Sequence, residues 1–305
     1  MKWSKSDMTE NFKPKFNNYL QQVNDALPGF LPQGDAEQKT VYEAMGYSLM
    51  AGGKRIRAIM TMAFCELCGG NPADAIPFAA AIEMIHAYSL IHDDLPCMDN
   101  DDMRRGKPSC HVAFGEANAL LAGDGLLTLA FETMLDSKNT GNLPAKRVLD
   151  AASVLAHAAG ANGMVGGQVI DLENEGKQIP YELLQTLDRL KTGALIRASA
   201  VMGCVLAGAD QDVIDRAERY AAAVGLAFQI VDDILDVTAD QAALGKPIGS
   251  DAENEKTTYI TLFGIEKSRE IVKQLAEDAY NAIRGSILDD SFLYDLAEML
   301  AVREY

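Results

Sequence analysis

Three observations predict an all-α fold. Hydrophobic residues make up 48% of the chain but aromatic residues only 7%, which leaves Ala, Leu, Ile and Met to fill the core. These are helix-forming side chains. The long apolar stretches mostly close on glycine or proline, the usual helix stops. Alternating runs joined by Asn-Gly or Asp-Gly turns, the mark of hairpin sheets, are not evident. The chain has 305 residues, enough for a sizeable core. No low-complexity linker or charge block divides it, so one domain over 1–305 is expected.

Taken in order, residues 1–13 are polar and read as a loose tail, and helices are expected from Pro14 onward. A helix over 36–51 ends at Gly52-Gly53, and one over 55–68 ends at Gly69-Gly70-Asn71-Pro72. The stretch 74–95 carries Ile82, Ile85 and Leu90 and stops near Pro96. Further helices are expected over 113–136, over 145–160 up to Gly160, and over 180–207 behind Pro180, a residue suited to a first turn. Helices over 211–238, 266–284 and 292–303 complete the set. Residues 239–258 are polar and hold Gly245, Lys246, Pro247, Gly249 and Lys256. They read as a long loop, a feature that often carries function. No solenoid-type repeat is visible.

The formal net charge of −17 argues against general binding of nucleic acid or insertion at an anionic membrane. No run approaches the roughly 18 apolar residues of a membrane span. Cys65, Cys68, Cys97, Cys110 and Cys204 are odd in number and suggest no disulfide framework. The start, Met1 to Lys5, lacks the apolar core of a secretory signal. A reducing cytoplasmic location is therefore expected.

Two acidic clusters interrupt apolar helical stretches. The first runs Asp93-Asp94-Leu95-Pro96-Cys97-Met98-Asp99 and is followed by Asp101, Asp102, Arg104, Arg105 and Gly106. The second is Asp232-Asp233-Ile234-Leu235-Asp236. Asp232 and Asp236 are four apart and share a helix face, with Gln229 on the same side. Asp99 lies six residues beyond Asp93, so it must return from a loop or a distorted turn. Two like charges 4 Å apart repel by about 4 kcal/mol at an effective dielectric near 20. Facing carboxylates would therefore reject a diphosphate unless Mg²⁺ came between them.

Cations accompany these clusters. Gly52-Gly53-Lys54-Arg55-Ile56-Arg57 sits at a predicted helix start, where backbone N–H groups favour anions. It lacks the spacing of a Walker loop. Lys191-Thr192-Gly193 taken alone reads as a helix kink, and Gly166-Gly167-Gln168 with Asp171 as a plain turn. Cys65 and Cys68 lack the second ligand pair of a structural zinc site.

Together the motifs resemble one family, the trans-isoprenyl diphosphate synthases, and within it the bacterial short-chain farnesyl diphosphate synthases. The resemblance covers about residues 40–260 and is carried by GGKRIR (52–57), IHAYSLIHDDLPCMDNDDMRRG (85–106), GGQVID (166–171), KTGALIRAS (191–199), FQIVDDILD (228–236) and GKPIGSDAENEKTTY (245–259). Ala58 and Ile260 stand where these enzymes usually have proline.

The resemblance implies an isoprenoid-synthase helical bundle around a deep central cavity, usually as a homodimer. It implies about three Mg²⁺ ions, with Mn²⁺ an alternative, held by Asp93 and Asp99 on one wall and Asp232 on the other. Asp94, Asp233 and Asp236 would support them. Lys54, Arg57, His86 and Arg105 would bind the diphosphate of isopentenyl diphosphate. Arg104, Lys191, Lys246 and Lys256 would hold the allylic diphosphate, dimethylallyl or geranyl. Thr192 and Gln229 would lie near the developing allylic cation.

Tyr88, five residues before the first Asp, with Ser89 beside it, would floor the cavity and stop growth at farnesyl (C15) diphosphate. Geranylgeranyl (C20) or geranyl (C10) products are the alternatives. A class I terpene cyclase would need only one diphosphate site.

Overall fold

The computed structural model describes residues 9–238 and 256–301. Fourteen helices form nearly all of the described secondary structure. In chain order they are α1 (Phe12–Phe30), α2 (Lys39–Leu49), α3 (Ile56–Leu67), α4 (Ile76–Asp93), α5 (Cys110–Phe114), α6 (Glu116–Leu135) and α7 (Ser137–Thr140). Then come α8 (Ala145–Ala159), α9 (Met164–Glu173), α10 (Tyr181–Lys191), α11 (Gly193–Ala207), α12 (Gln211–Thr238), α13 (Tyr259–Ile283) and α14 (Ser291–Ala301). A two-residue hairpin, β1 (Met103–Arg104) and β2 (Lys107–Pro108), pairs Arg104 with Lys107 and Met103 with Pro108.

Helix α4 is central. It is apolar on all sides because it packs against α6, α3, α1 and α2. Phe78, Ile82, Met84 and Ile85 are fully buried. Each such side chain contributes roughly 1.5–3 kcal/mol. The stretch Pro72–Asp93 is long and apolar enough to cross a membrane, contrary to the sequence expectation. In the fold most of it is buried in the core. Helix α11 packs against α3, α8 and α12, and α12 lies along α13 over a second apolar cluster that includes Ile230, Ile234 and Tyr259.

Several boundaries differ from the sequence reading. The helix expected over 180–207 breaks at Thr192. The one expected over 113–136 is divided at Gly115, whose φ of 82° leaves the helical region. Residues 166–171, read as a turn, lie inside α9. Helix α13 begins at Tyr259, ahead of the expected 266, because Thr258 and Thr261 form a reciprocal capping box.

Candidate active site

The first acidic cluster begins where α4 ends. Asp99 N donates to Asp93 O at 2.9 Å, and Asn100, with φ 53°, donates to Leu95 O at 3.1 Å. This tight return sets Asp99 beside Asp93, as the six-residue spacing required. Gln168 of α9 donates to Asp93 Oδ1. Burial and then the Asp93 carboxylate push the Asp99 carboxyl up. Asp94 turns the other way, is 2% exposed, and accepts from Arg104 Nε at 2.9 and 3.2 Å. Arg104 Nη2 also meets Asp101 at 3.0 Å. Asp94 is thus the counter-ion of Arg104.

The hairpin turn at Arg105-Gly106 takes positive φ at both residues, 52° and 73°. That twist matches its flanking strands. It aims Arg105 at Gly52 O, to which Nη1 donates. A Cβ on Gly53 would lie 3.0 Å from the Arg105 guanidinium, so glycine there lets the two loops touch.

Arg55, with φ 51°, points inward. Its guanidinium bonds Glu83 at 3.2 Å, Leu49 O at 2.7 Å and Asn24 at 3.3 Å. Glu83 also accepts from Ala58 N at 3.3 Å. Arg55 therefore braces the loop, and together with Glu83 it also lines the cavity of about 340 Å³ that Lys54, Arg57, His86 and Arg105 share with Ile196 and Phe228. Burial, Arg57 and Arg105 hold His86 well below the usual imidazole range, so it is neutral near pH 7.

The Lys191–Thr192 break connects the two acidic clusters. A Cβ on Gly167 would lie 2.3 Å from Lys191 N, so this glycine lets α9 and α10 meet backbone to backbone. Lys191 Nζ then sits 2.5 Å from Asp171 and 3.8 Å from Asp93. Lys256 lies 4.0 Å from Asp171. Burial would lower the Lys191 pKa, but Asp93 and Asp171 outweigh it and raise it.

The next residue faces the other cluster. Thr192 Oγ1 donates to Gln229 Oε1 at 3.1 Å, and Gln229 Nε2 donates to Asp233 Oδ1 at 3.3 Å. Asp233 is buried and accepts from Tyr259 N at 3.0 Å, so it braces the start of α13. Asp232 is half-buried one residue earlier, and Asp236 Oδ2 is buried with no hydrogen-bond partner. Lys246 lies outside the described residues.

Among the described residues, no three His, Cys, Asp or Glu side chains gather closely enough to hold a metal by themselves. The donor set nevertheless fits Mg²⁺. This ion usually takes one or two carboxylates and completes its shell with water and phosphate oxygens. Asp99, pushed up beside Asp93, and the unpartnered Asp236 oxygen are the carboxylate groups a cation would relieve.

At the proposed floor, Tyr88 is 6% exposed and its ring meets His92 edge-on at 5.5 Å. Ser89 Oγ donates to His86 O at 2.9 Å. The sequence reading missed the supporting roles of Gln168, Asp171 and Glu83, and missed Asp188 altogether. Asp188 is buried three residues before Lys191, its Oδ2 lacks a partner, and burial with nearby Asp233 and Asp171 pushes its pKa to about 8. The one available signal was an acidic residue spaced for the Lys191 face of α10.

A helical core that carries acidic segments on two helices, with separate cationic loops around its cavities, defines the isoprenoid-synthase class. The chain belongs to the polyprenyl synthetase family, whose profile matches residues 38–288. It is 46% identical over 286 residues to the heterodimeric geranylgeranyl pyrophosphate synthase large subunit 1, chloroplastic, of Arabidopsis thaliana, covering 93% of this chain and 75% of the relative. It is also 46% identical to the geranylgeranyl diphosphate synthase of Cyanophora paradoxa, covering 86% of each. The crystal structure of an FPP/GFPP synthase from Zymomonas mobilis superposes with a TM-score of 0.84 at 36% identity, over 96% of this chain and 99% of that one. The chain is thus a prenyltransferase of the trans-prenyl diphosphate synthase type.

Proposed function

We propose that this synthase joins isopentenyl diphosphate to dimethylallyl, geranyl and longer allylic diphosphates, with Mg²⁺ or Mn²⁺ as cofactor. The observation that carries this reading is the cavity lined by Lys54, Arg57, His86 and Arg105. It supplies a diphosphate site separate from the one beside Lys191 and Lys256, and a cyclase needs only one such site.

Asp93, Asp99 and Asp232, supported by Asp236, would hold the metal, which when bound neutralises the leaving diphosphate. Lys191 and Lys256 share that task by exchanging Asp171 for phosphate oxygens, and Arg104 and Lys246 complete the set. The allylic C–O bond breaks and its electron pair leaves on the diphosphate. The Thr192 and Gln229 oxygens face the carbon that becomes positive. Neutral His86 donates a hydrogen bond to the second diphosphate, and Lys54, Arg57 and Arg105 supply charge. The double bond of isopentenyl diphosphate attacks the cation, and the adjacent carbon then yields a proton to the released diphosphate.

The names of the curated relatives favour geranylgeranyl (C20) diphosphate as product over the farnesyl (C15) expectation. Tyr88 is the specific observation that supports the C15 reading, because a buried ring near the end of α4 suits a short cavity. Exposed Val112, Leu120 and Leu121 on α5 and α6 support a homodimer, and five unpaired thiols support a reducing, cytoplasmic location.

Incubation with dimethylallyl and isopentenyl diphosphates, followed by chromatography of the dephosphorylated products, tests this reading. Linear all-trans alcohols that disappear with EDTA are expected. A cyclic hydrocarbon, or unchanged turnover in EDTA, would overturn it.

A further inference from the structure

Three of the five cysteines converge far from the reaction cavity. Cys68 caps the C-terminal end of α3, Cys204 lies inside α11, and Cys65 is one turn before Cys68. The sulfurs of Cys68 and Cys204 are 3.6 Å apart although 136 positions separate them in sequence. The backbones around them are in close contact. A Cβ on Gly203 would lie 2.5 Å from Thr61 O and 2.9 Å from Cys65 N. A Cβ on Gly70 would lie 3.0 Å from the Ala207 Cβ. The segment 61–70 is thus pressed onto α11 on both sides of Cys204. A disulfide needs this kind of approach, since its Cβ atoms must come within about 4.5 Å.

Access to the two sulfurs differs. Cys204 is fully buried, whereas Cys68 is partly exposed. The contact between the two sulfurs lowers the Cys68 pKa, while the same contact and burial push Cys204 up. An oxidant in solution therefore meets Cys68 first.

We propose that Cys68 and Cys204 form a redox-modification site at which a hydroperoxide closes an intramolecular disulfide between α3 and α11. The Cys68 thiolate attacks one peroxide oxygen. The O–O bond breaks, a sulfenic acid forms, and the departing hydroxide takes a proton to become water. Cys204 then loses its proton and attacks the Cys68 sulfur. The S–S bond forms, the S–O bond breaks and a second water leaves. The two thiols give up two electrons and two protons, and the peroxide accepts both. In a reducing compartment such a bond forms transiently and is opened by thiol exchange.

The bond would tie the far ends of two helices that start at the site, since α3 follows the Lys54–Arg57 loop and α11 follows Lys191-Thr192. It would close a loop of more than a hundred residues and so restrict the unfolded chain.

The test treats the full-length protein with a small excess of hydrogen peroxide and measures intact mass, peptide linkage and thermal midpoint. A mass loss of two hydrogens is expected, with the Cys68 and Cys204 peptides linked. The midpoint should rise by several degrees and return with dithiothreitol. Cys68→Ser should abolish both changes while keeping activity, and Cys204→Ala should leave a stable sulfenic acid on Cys68. Oxygen added to Cys68 with Cys204 still reduced in the wild type would overturn the proposal, as would crosslinking through Cys97 alone.

Discussion

Lys191 and Asp171 form an ion pair of 2.5 Å between α10 and α9, and the same ammonium reaches Asp93 at the end of α4. In the proposed reaction an allylic diphosphate takes the place of Asp171 on this ammonium. Lys191→Met should lower kcat by roughly 100-fold, the effect of removing one charged donor to a leaving group. The Michaelis constant for isopentenyl diphosphate should change little. Steady-state kinetics with each substrate varied separately checks both numbers.

The acidic clusters should be needed for turnover and not for folding. Asp93→Ala and Asp232→Ala should each reduce kcat by about 10³-fold, on the order of losing one charge-stabilising contact or more. Circular dichroism should remain helical. Near-normal turnover in either variant would remove that residue from the metal set.

Tyr88→Ala should lengthen the product relative to wild type, whichever length the wild type makes. Chromatography of the alcohols reads this directly, and an unchanged pattern would mean that the cavity is closed by another residue.

Glu83 and Arg55 form a buried pair behind the Lys54–Arg57 loop. Removing the carboxylate leaves Arg55 charged without its partner, which typically costs about 3–5 kcal/mol. Glu83→Ala should therefore lower the thermal midpoint by about 5–8 °C. Its surviving activity should show a raised Michaelis constant for isopentenyl diphosphate.

Asp188 gives a pH signature. Its folded pKa of about 8 lies above the unfolded carboxylate value, so the folded state holds a proton that the unfolded state has lost. Stability from this group therefore falls as pH rises from about 4 to 8 and levels off above. Asp188→Asn stays neutral throughout. The midpoint difference between Asp188→Asn and wild type should grow from pH 5 to pH 8, and a constant difference would exclude a protonated Asp188.

The helices were legible where apolar runs ended on strong stops, as at Gly52-Gly53 and Gly160. They were not legible where tertiary contacts set the boundary. Lys191-Thr192-Gly193 reads locally as a kink, but only the fold shows that the kink sends Lys191 and Thr192 to different partners. Likewise Gly166-Gly167 looks like a turn until Lys191 is seen pressed against Gly167. The acidic and basic motifs stood out because charges inside apolar helices need a reason. Their supports did not, since Glu83 and Asp188 acquire partners or lose water only after folding. Arg55 shows the same limit, for it sits between Lys54 and Arg57 but its guanidinium is taken up by Glu83, Leu49 O and Asn24.

Arg55, Asn100 and Arg105 share one further property, a left-handed backbone in a residue other than glycine. Each such residue costs roughly 1–2 kcal/mol. A programme to make this protein heat-resistant would rank these three positions early for glycine. At 55 and 105 it would gain relaxed torsions and discard the side chains that tie the Gly52–Arg57 loop to Glu83 and to the hairpin. Robustness and activity are set against each other in these short segments, and stabilising changes are better sought on the outer faces of α8 and α13.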